Sequence, residues 1–152
     1  MVAKVIKKDF EQVPHTADIK IRVYGKTLEQ FFCNALIGMF QVIGPKAKGC
    51  TVVNGRLVCS ELPEKHTLVV TAPDRNALLV DFLSEALYLS DVHNEAYLAA
   101  DVNQLSETEI SATVYGIKVT GFEVVEIKAV TYHDLDIQQK DGVWVSDIVF
   151  DI

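Results

Sequence analysis

In the stretch "HTADIKIRVYGKTLEQFFCNALIGMFQVIG", residues 15–44, the hydrophobic period switches from two to about 3.6 across a single turn. Ile19, Ile21 and Val23 fall on one side and Lys20, Arg22 and Tyr24 on the other, the pattern of a strand with one wet face. Beyond Gly25, Thr27 and Gln30 stand at the spacing of a capping box, in which the hydroxyl accepts from the backbone N–H three residues on. Leu28, Phe31, Phe32, Ala35, Leu36, Met39 and Phe40 then recur at helical spacing, and Gly44-Pro45 stops the run. A half-buried strand feeding an amphipathic helix predicts helix packed on sheet.

Working outward, "APDRNALLVDFLSEALYLSDVHN", residues 72–94, reads as a second helix with Asp74 as its N-cap. Leu78, Leu79, Phe82, Leu83, Ala86 and Leu87 make its apolar face, and Asp81, Ser84 and Glu85 lie on the solvated side. Segments 51–59, 67–71, 96–102, 109–115, 123–130, 135–138 and 143–150 are rich in β-branched and aromatic residues and read as strands. Asn54-Gly55 and Asp141-Gly142 are the sharpest hairpin signals, and the Tyr-Gly pairs also read as turns. Strands mostly follow one another directly. The expectation is therefore an α+β fold: one domain over residues 1–152, a largely antiparallel or mixed sheet, and both helices on one face.

The bulk numbers agree with a globular domain. A chain of 152 residues, 49% hydrophobic and 23% charged, can bury a core without staples. No apolar run reaches the ~18 residues of a membrane span. The opening "MVAKVIKKDF" lacks the apolar core of an export signal, so a cytoplasmic location is expected. Cys33, Cys50 and Cys59 are odd in number and form no C-x-x-C spacing, which reads as three reduced thiols rather than a disulfide framework or zinc site. The net charge of −7, without a Lys/Arg cluster, makes the chain a poor direct ligand for phosphate backbones. A role on nucleic acid would run through a protein partner.

Phosphate-cradling glycine loops, a nucleophile elbow and an H-E-x-x-H pair are all absent from the sequence. Three polar places remain. One is His15-Thr16-Ala17-Asp18 at the mouth of a strand. Another is "EIKAVTYHDLDI", with Lys128 in an apolar strand and His133, Asp134 and Asp136 beyond it. The third is "SDIVFDI", where Ile148, Val149 and Phe150 should hold the last residues in the sheet and so fix Asp151 beside the α-carboxylate of Ile152. Adjacent carboxylates near low-dielectric protein need a counter-charge. Joined by Asp18, they would make an oxygen cluster suited to a hard cation such as Ca²⁺, Mg²⁺ or Mn²⁺. Each residue also has an ordinary reading: His15 and Asp18 as turn caps, Asp151 as exposed carboxylate, and Lys128 as a snorkelling edge residue. Spacing alone does not bring Asp18 to Asp151.

The segments "HTADIKIRVYGKTLEQFFCNALIGMF", "LLVDFLSEALYL", "EIKAVTYHDLDI" and "IVFDI" resemble, in order, the archease family. Lys20 stands where that family often has glycine and Phe82 where it often has tryptophan, and Cys33 sits on the first helix. The resemblance implies a non-catalytic protein cofactor of the tRNA-splicing RNA ligase. That ligase joins 2′,3′-cyclic phosphate or 3′-phosphate RNA ends to 5′-hydroxyl ends through a guanylylated histidine, using GTP and Mn²⁺. The cofactor would promote guanylylation and repeated turnover and broaden nucleotide use. It also implies a metal site at Asp18, Asp151 and Ile152, occupied by a divalent cation (Ca²⁺ in a crystal, or Mn²⁺ or Mg²⁺). Lys128 would be the principal activating contact, with His15 and His133 as lesser ones.

Two other classes compete. A stand-alone metal-dependent phosphoester hydrolase would use His15, Asp18, His133 and Asp134, but phosphoryl chemistry often needs two metals and the sequence offers one compact oxygen site. A chaperone-like binding module would need an exposed apolar patch.

Overall fold

The alternation at residues 19–24 forms β2 (Ile19–Gly25), with Ile19, Ile21 and Val23 buried and the intervening side chains half-buried on the opposite face. The structure, a computed structural model, describes residues 8–14 and 18–152; His15 lies outside the described residues. β1 (Phe10–Val13) flanks β2 on one edge, and β12 (Val143–Asp151) flanks it on the other, both antiparallel. Two short strands, β10 (Ala129–Val130) and β11 (Gln138–Lys140), share the far side of β12 at its opposite ends. Between them residues 131–137 leave the sheet.

The capping box is present. In α1 (Leu28–Val42) the Gln30 N–H donates to Thr27 Oγ1 at 3.1 Å, and the Gln30 side-chain oxygen accepts from Lys26 N at 3.1 Å. α2 (Arg75–His93) starts with Ala77 N–H donating to Asp74 Oδ1 at 2.8 Å and closes on Asn94, whose φ of 55° is the left-handed conformation asparagine tolerates. Asp81, Ser84 and Glu85 are exposed, as the helical period requires.

A second sheet, antiparallel throughout, has the order β6-β8-β7: β6 (Glu64–Thr71), β8 (Glu109–Lys118) and β7 (Glu95–Leu105). Two hairpin-sized pairs stand apart from both sheets. They are β3 (Pro45–Lys46) with β9 (Gly121–Phe122), and β4 (Cys50–Val53) with β5 (Arg56–Cys59). The α+β class holds, but the strands form two main sheets and the helices lie against both. α1 contacts β1, β2 and β12 of one sheet and β7 of the other, while α2 contacts β6, β7, β8 and β10. Helices that serve two sheets need apolar faces wide enough for both, and Ala77 to Val80, Phe82, Leu83 and Ala86 are all buried. Phe32 meets Phe82 at 6.0 Å between ring centroids, and Phe40 meets Tyr97 edge-on at 5.4 Å.

The Asn54-Gly55 and Asp141-Gly142 pairs make two-residue turns, with all four φ values positive. The Tyr115-Gly116 turn does not exist. Gly116 is buried within β8, where an added Cβ would collide with the Ala96 carbonyl, so the glycine serves close strand approach next to the bulge at Tyr97/Ala99. The strand expected over 123–130 shrinks to β10, because Glu123 and Val124 give their N–H groups to the Gly44 and Ile43 carbonyls at the end of α1. The strand expected over 135–138 gives way to a loop followed by β11. No helix among the described residues is long and apolar enough to cross a membrane.

The three cysteines are not all thiols. Cys50 and Cys59 are the outermost register pair of the β4–β5 hairpin, with Cα atoms 4.2 Å apart, and they form a disulfide. The tight Asn54-Gly55 turn sets this register, which cysteine counting could not see. The bond also removes cysteine usage as an argument for a reducing compartment. Cys33 is free and half-buried, its Sγ donating to the Ala100 carbonyl at 3.4 Å. Burial, with the nearby Asp101 and Glu29 carboxylates, pushes its thiol up to about 11. Thiolate is the reacting species, so Cys33 in native protein at pH 8 should label far more slowly with a thiol reagent than in unfolded protein. Equal rates would show the site to be open.

Candidate functional site

The last register pair between β2 and β12 is Ile19↔Phe150, and one step beyond it stand Asp18 and Asp151. β10 continues the same end of the sheet, with Ala129 opposite Asp151 and the Lys128 N–H donating to the Asp151 carbonyl at 2.8 Å. Ile152 is partly buried against the core, so the segment is held to its last residue. This is how the fold gathers residues from three distant stretches of sequence at one sheet end. Ile19, Ile21, Ile148 and Phe150 bury the inner face there, which fixes the register and with it the two aspartates. Among the described residues, no three His, Cys, Asp or Glu side chains gather as a metal centre would. The end offers two carboxylates, with main-chain or terminal oxygens of residues 151–152 beside them. Its donor chemistry fits a hard, oxygen-seeking cation and not a soft metal.

Further along the outer face, the wet side of β2 becomes an ionic column. Lys20 Nζ lies 3.0 Å from Asp134 and 3.4 Å from Asp147, and Arg22 clasps Asp147 at 2.7 and 3.2 Å. Asp147 stays below its ordinary value: burial works against ionisation, but the Arg22 and Lys20 cations prevail. Asp134, held by the Lys20 hydrogen bond, is likewise lowered. His133 Nε2 is 3.6 Å from Asp134. The hydrolase reading needed Asp134 as a metal ligand or base, yet its carboxylate is tied to Lys20. The column walls a groove of about 920 Å³, over Tyr24, Val143 and Val145. Lys20, Arg22 and Asp147 were not singled out in the sequence, although the alternation had already put the two cations on one face.

Lys128 does not sit inside a strand. It is exposed, just before β10, and lines a cleft of about 580 Å³ between the outer side of α2 and residues 119–130. Tyr88, Asp91 and Glu126 line the same cleft.

A buried ionic cluster supports that cleft from behind. Glu95 opens β7 at 1% exposure and accepts from Tyr97 Oη at 2.8 Å, with His66 Nε2 at 2.7 Å and Lys118 Nζ at 3.0 Å. Burial pushes its carboxyl up, but hydrogen bonds with Lys118, His66 and Tyr97 outweigh this and hold it at about 2. Lys118 also donates to the His93 carbonyl at the end of α2, and the His93 ring stacks on His66 at 4.7 Å. Ser90 Oγ donates to the Glu95 carbonyl. These contacts fasten the C-terminus of α2 to the second sheet. No sequence signal marked them, since Glu95, His66 and Lys118 come from three separated strands.

Comparison with known proteins bears on the whole chain. The model of the archease protein family (MTH1598/TM1083) matches residues 10–152. "Protein archease" of Methanosarcina mazei is 38% identical over 153 residues, covering 95% of this chain and 97% of that protein. The protein of the same name from Pyrococcus abyssi is 35% identical and covers 95% and 99%. Among solved structures, the solution structure of Methanobacterium thermoautotrophicum protein 1598 superposes with a TM-score of 0.69 at 25% identity, covering 95% of this chain and 99% of that one. A Thermotoga maritima crystal structure, described as an archease and possible chaperone, shares the fold with a TM-score of 0.57 at 20% identity, over 93% and 96%. The family model over residues 10–152, the relatives and the shared fold agree: this chain belongs to the archease family.

Proposed function

We propose that this protein is an activator of the tRNA-splicing RNA ligase, without catalysis of its own, acting in the cytoplasm. It promotes guanylylation of the ligase and repeated joining of 2′,3′-cyclic phosphate or 3′-phosphate ends to 5′-hydroxyl ends, and broadens the nucleotides used. The observation that supports this most is the family match over residues 10–152, together with the sheet end one step beyond which stand Asp18 and Asp151. Asp18, Asp151 and an oxygen of Ile152 would hold a divalent cation there: Ca²⁺ in a crystal, Mn²⁺ or Mg²⁺ otherwise. When bound, that cation supplies a concentrated positive charge at an otherwise acidic tip. The net charge of −7 supports encounter with a basic, RNA-binding enzyme by raising the on-rate.

The test is a ligation assay with purified ligase, GTP and Mn²⁺, with this protein added or withheld. Stimulation of guanylylation and of multiple turnover is expected, with no phosphate release from model phosphodiesters by the protein alone. Phosphate release without the ligase would return the hydrolase reading.

The Lys128 side chain lines the α2 cleft while its backbone N–H meets the Asp151 carbonyl, so a side-chain variant tests the contact apart from the cation. Lys128→Ala should lower ligase activation severalfold while calorimetric Mn²⁺ affinity stays within about twofold, because only a neighbouring charge changes and surface charges couple weakly. Parallel loss of both would place Lys128 in support of the cation site. His133, beside Asp134, and His15 are weaker candidates for the same contact.

One observation favours a second, chaperone-like reading. Val53 and Val58 share one face of the β4–β5 hairpin at 51% and 50% exposure, and Val52 stands on the other face at 71%. Suppression of aggregation of unrelated client proteins, abolished by Val53→Ser/Val58→Ser, would support it.

A further inference from the structure

We propose that Cys50–Cys59 is a reversible thiol–disulfide site, addressed by a dithiol reductant, whose closure keeps the β4–β5 arm docked on β1 and α1. This goes beyond ligase activation and rests on no part of it.

The arm belongs to neither main sheet; its two strands pair only with each other, over four register pairs. An isolated two-stranded hairpin is marginal in water. Among the described residues, its hydrogen bonds and ring contact with residues 9–10 and α1 come through two residues. Leu57 exchanges both backbone groups with the Gln41 side chain of α1, its N–H donating at 2.9 Å and its carbonyl accepting at 3.0 Å. Arg56 reaches Asp9 at 3.1 Å and lies over the Phe10 ring at 4.3 Å. Phe10 in turn packs at Gly38 of α1 and belongs to β1, the edge strand of the first sheet. The valines Val52, Val53 and Val58 are each at least half exposed and contribute little burial.

The disulfide closes the open end of this arm, opposite the Asn54-Gly55 turn, and both cysteines are partly exposed, so a reductant can reach them. With both ends tied, the register that presents Arg56 and Leu57 to their partners is fixed. With one end open, the turn, the short ladder and the contacts of Arg56 and Leu57 are left to oppose fraying. Cys33 does not compete, being half-buried with its thiol raised to about 11.

The chemistry balances with a dithiol. One reductant thiolate attacks a cysteine Sγ, the Sγ–Sγ bond breaks, and the other Sγ leaves as a thiolate that takes up a proton. The second reductant thiol then displaces the mixed disulfide, forming the cyclic oxidised reductant and releasing the other cysteine. Two electrons and two protons pass to the protein.

The experiment is native-state amide exchange by NMR on the full chain, oxidised, equilibrated with excess dithiothreitol, and as Cys50→Ser/Cys59→Ser. Opening a ring of this size releases loop entropy worth roughly a hundredfold in protection. Residues 51–58, the Leu57 amide foremost, should lose about that much in the reduced and double-serine proteins, and Phe10 and Glu11 should lose a part of it. The β6–β8 amides should not change, and re-oxidation should restore the rest. Protection at 51–58 within about threefold of the oxidised protein in both forms would overturn the proposal. So would a disulfide that survives dithiothreitol in the native state.

Discussion

Glu95→Ala loses about 3–5 kcal/mol of folding stability, the usual cost of removing one partner from a buried ionic network. The carboxylate is 1% exposed and is the common acceptor for Tyr97, His66 and Lys118. Without it the Tyr97 hydroxyl, fully buried, has no acceptor, and the end of α2 loses its hold on the second sheet. Lys118 can return to water because its side chain is 60% exposed, so the penalty falls mainly on the tyrosine and histidine. Urea unfolding of both proteins measures the difference. A loss below about 1 kcal/mol would match an ordinary surface substitution and would show that the cluster is hydrated.

The same residue sets an acid limit. Its carboxyl falls from an ordinary value of 4.5 to about 2 in the folded chain. A lowered carboxyl stabilises the fold fully above its unfolded value and loses that contribution as the pH drops through the folded one. The window therefore runs from pH 4.5 down to about 2, and its depth is on the order of 3 kcal/mol. In Glu95→Gln the slope of stability against pH in that window should flatten by this share.

Asp18→Ala is the second large effect, on function and not on folding. Asp18 lies one step outside the last β2–β12 pair and is partly exposed, outside the buried core. Oxygen sites tune their affinity by ligand charge count, so removing one of about three charges should weaken Mn²⁺ or Ca²⁺ binding on the order of a hundredfold. Activation of the ligase should fall to background while the unfolding midpoint stays within a few degrees. Asp151→Ala should behave alike, since both positions follow directly on the last β2–β12 pair and both are proposed ligands. Retained activation by both variants would remove the cation site from the mechanism.

Where one period dominates, the sequence was enough. Ile19-Ile21-Val23 and the Phe31-Phe32-Leu36-Met39-Phe40 stripe gave β2 and α1, and the capping atoms are the ones Thr27 and Gln30 foretold. It failed where the backbone finds partners outside its own pattern. Residues 123–128 are apolar enough for a strand, yet Glu123 and Val124 bond to the end of α1. Tyr115-Gly116 resembles a turn, but the missing Cβ admits a neighbouring strand. The candidate site was legible as separate words only. Asp18 and Asp151 were each marked, and the register that ends one step short of both is a property of β2 against β12. The Glu95 network left no trace, because three strands far apart in sequence supply its members.

That register has a cost in time. β2 ends at Gly25 and β12 begins at Val143, so the edge of β2 that β12 covers waits for more than a hundred further residues. At roughly 5–20 residues per second, a ribosome leaves that edge bare for about 6–24 seconds. During that interval Ile19, Ile21 and Val23 can lean only on α1 and β1, and a nascent chain is vulnerable to strand addition by its neighbours. The first sheet is thus completed only when the final strand takes its place between β2 and the short strands beyond it.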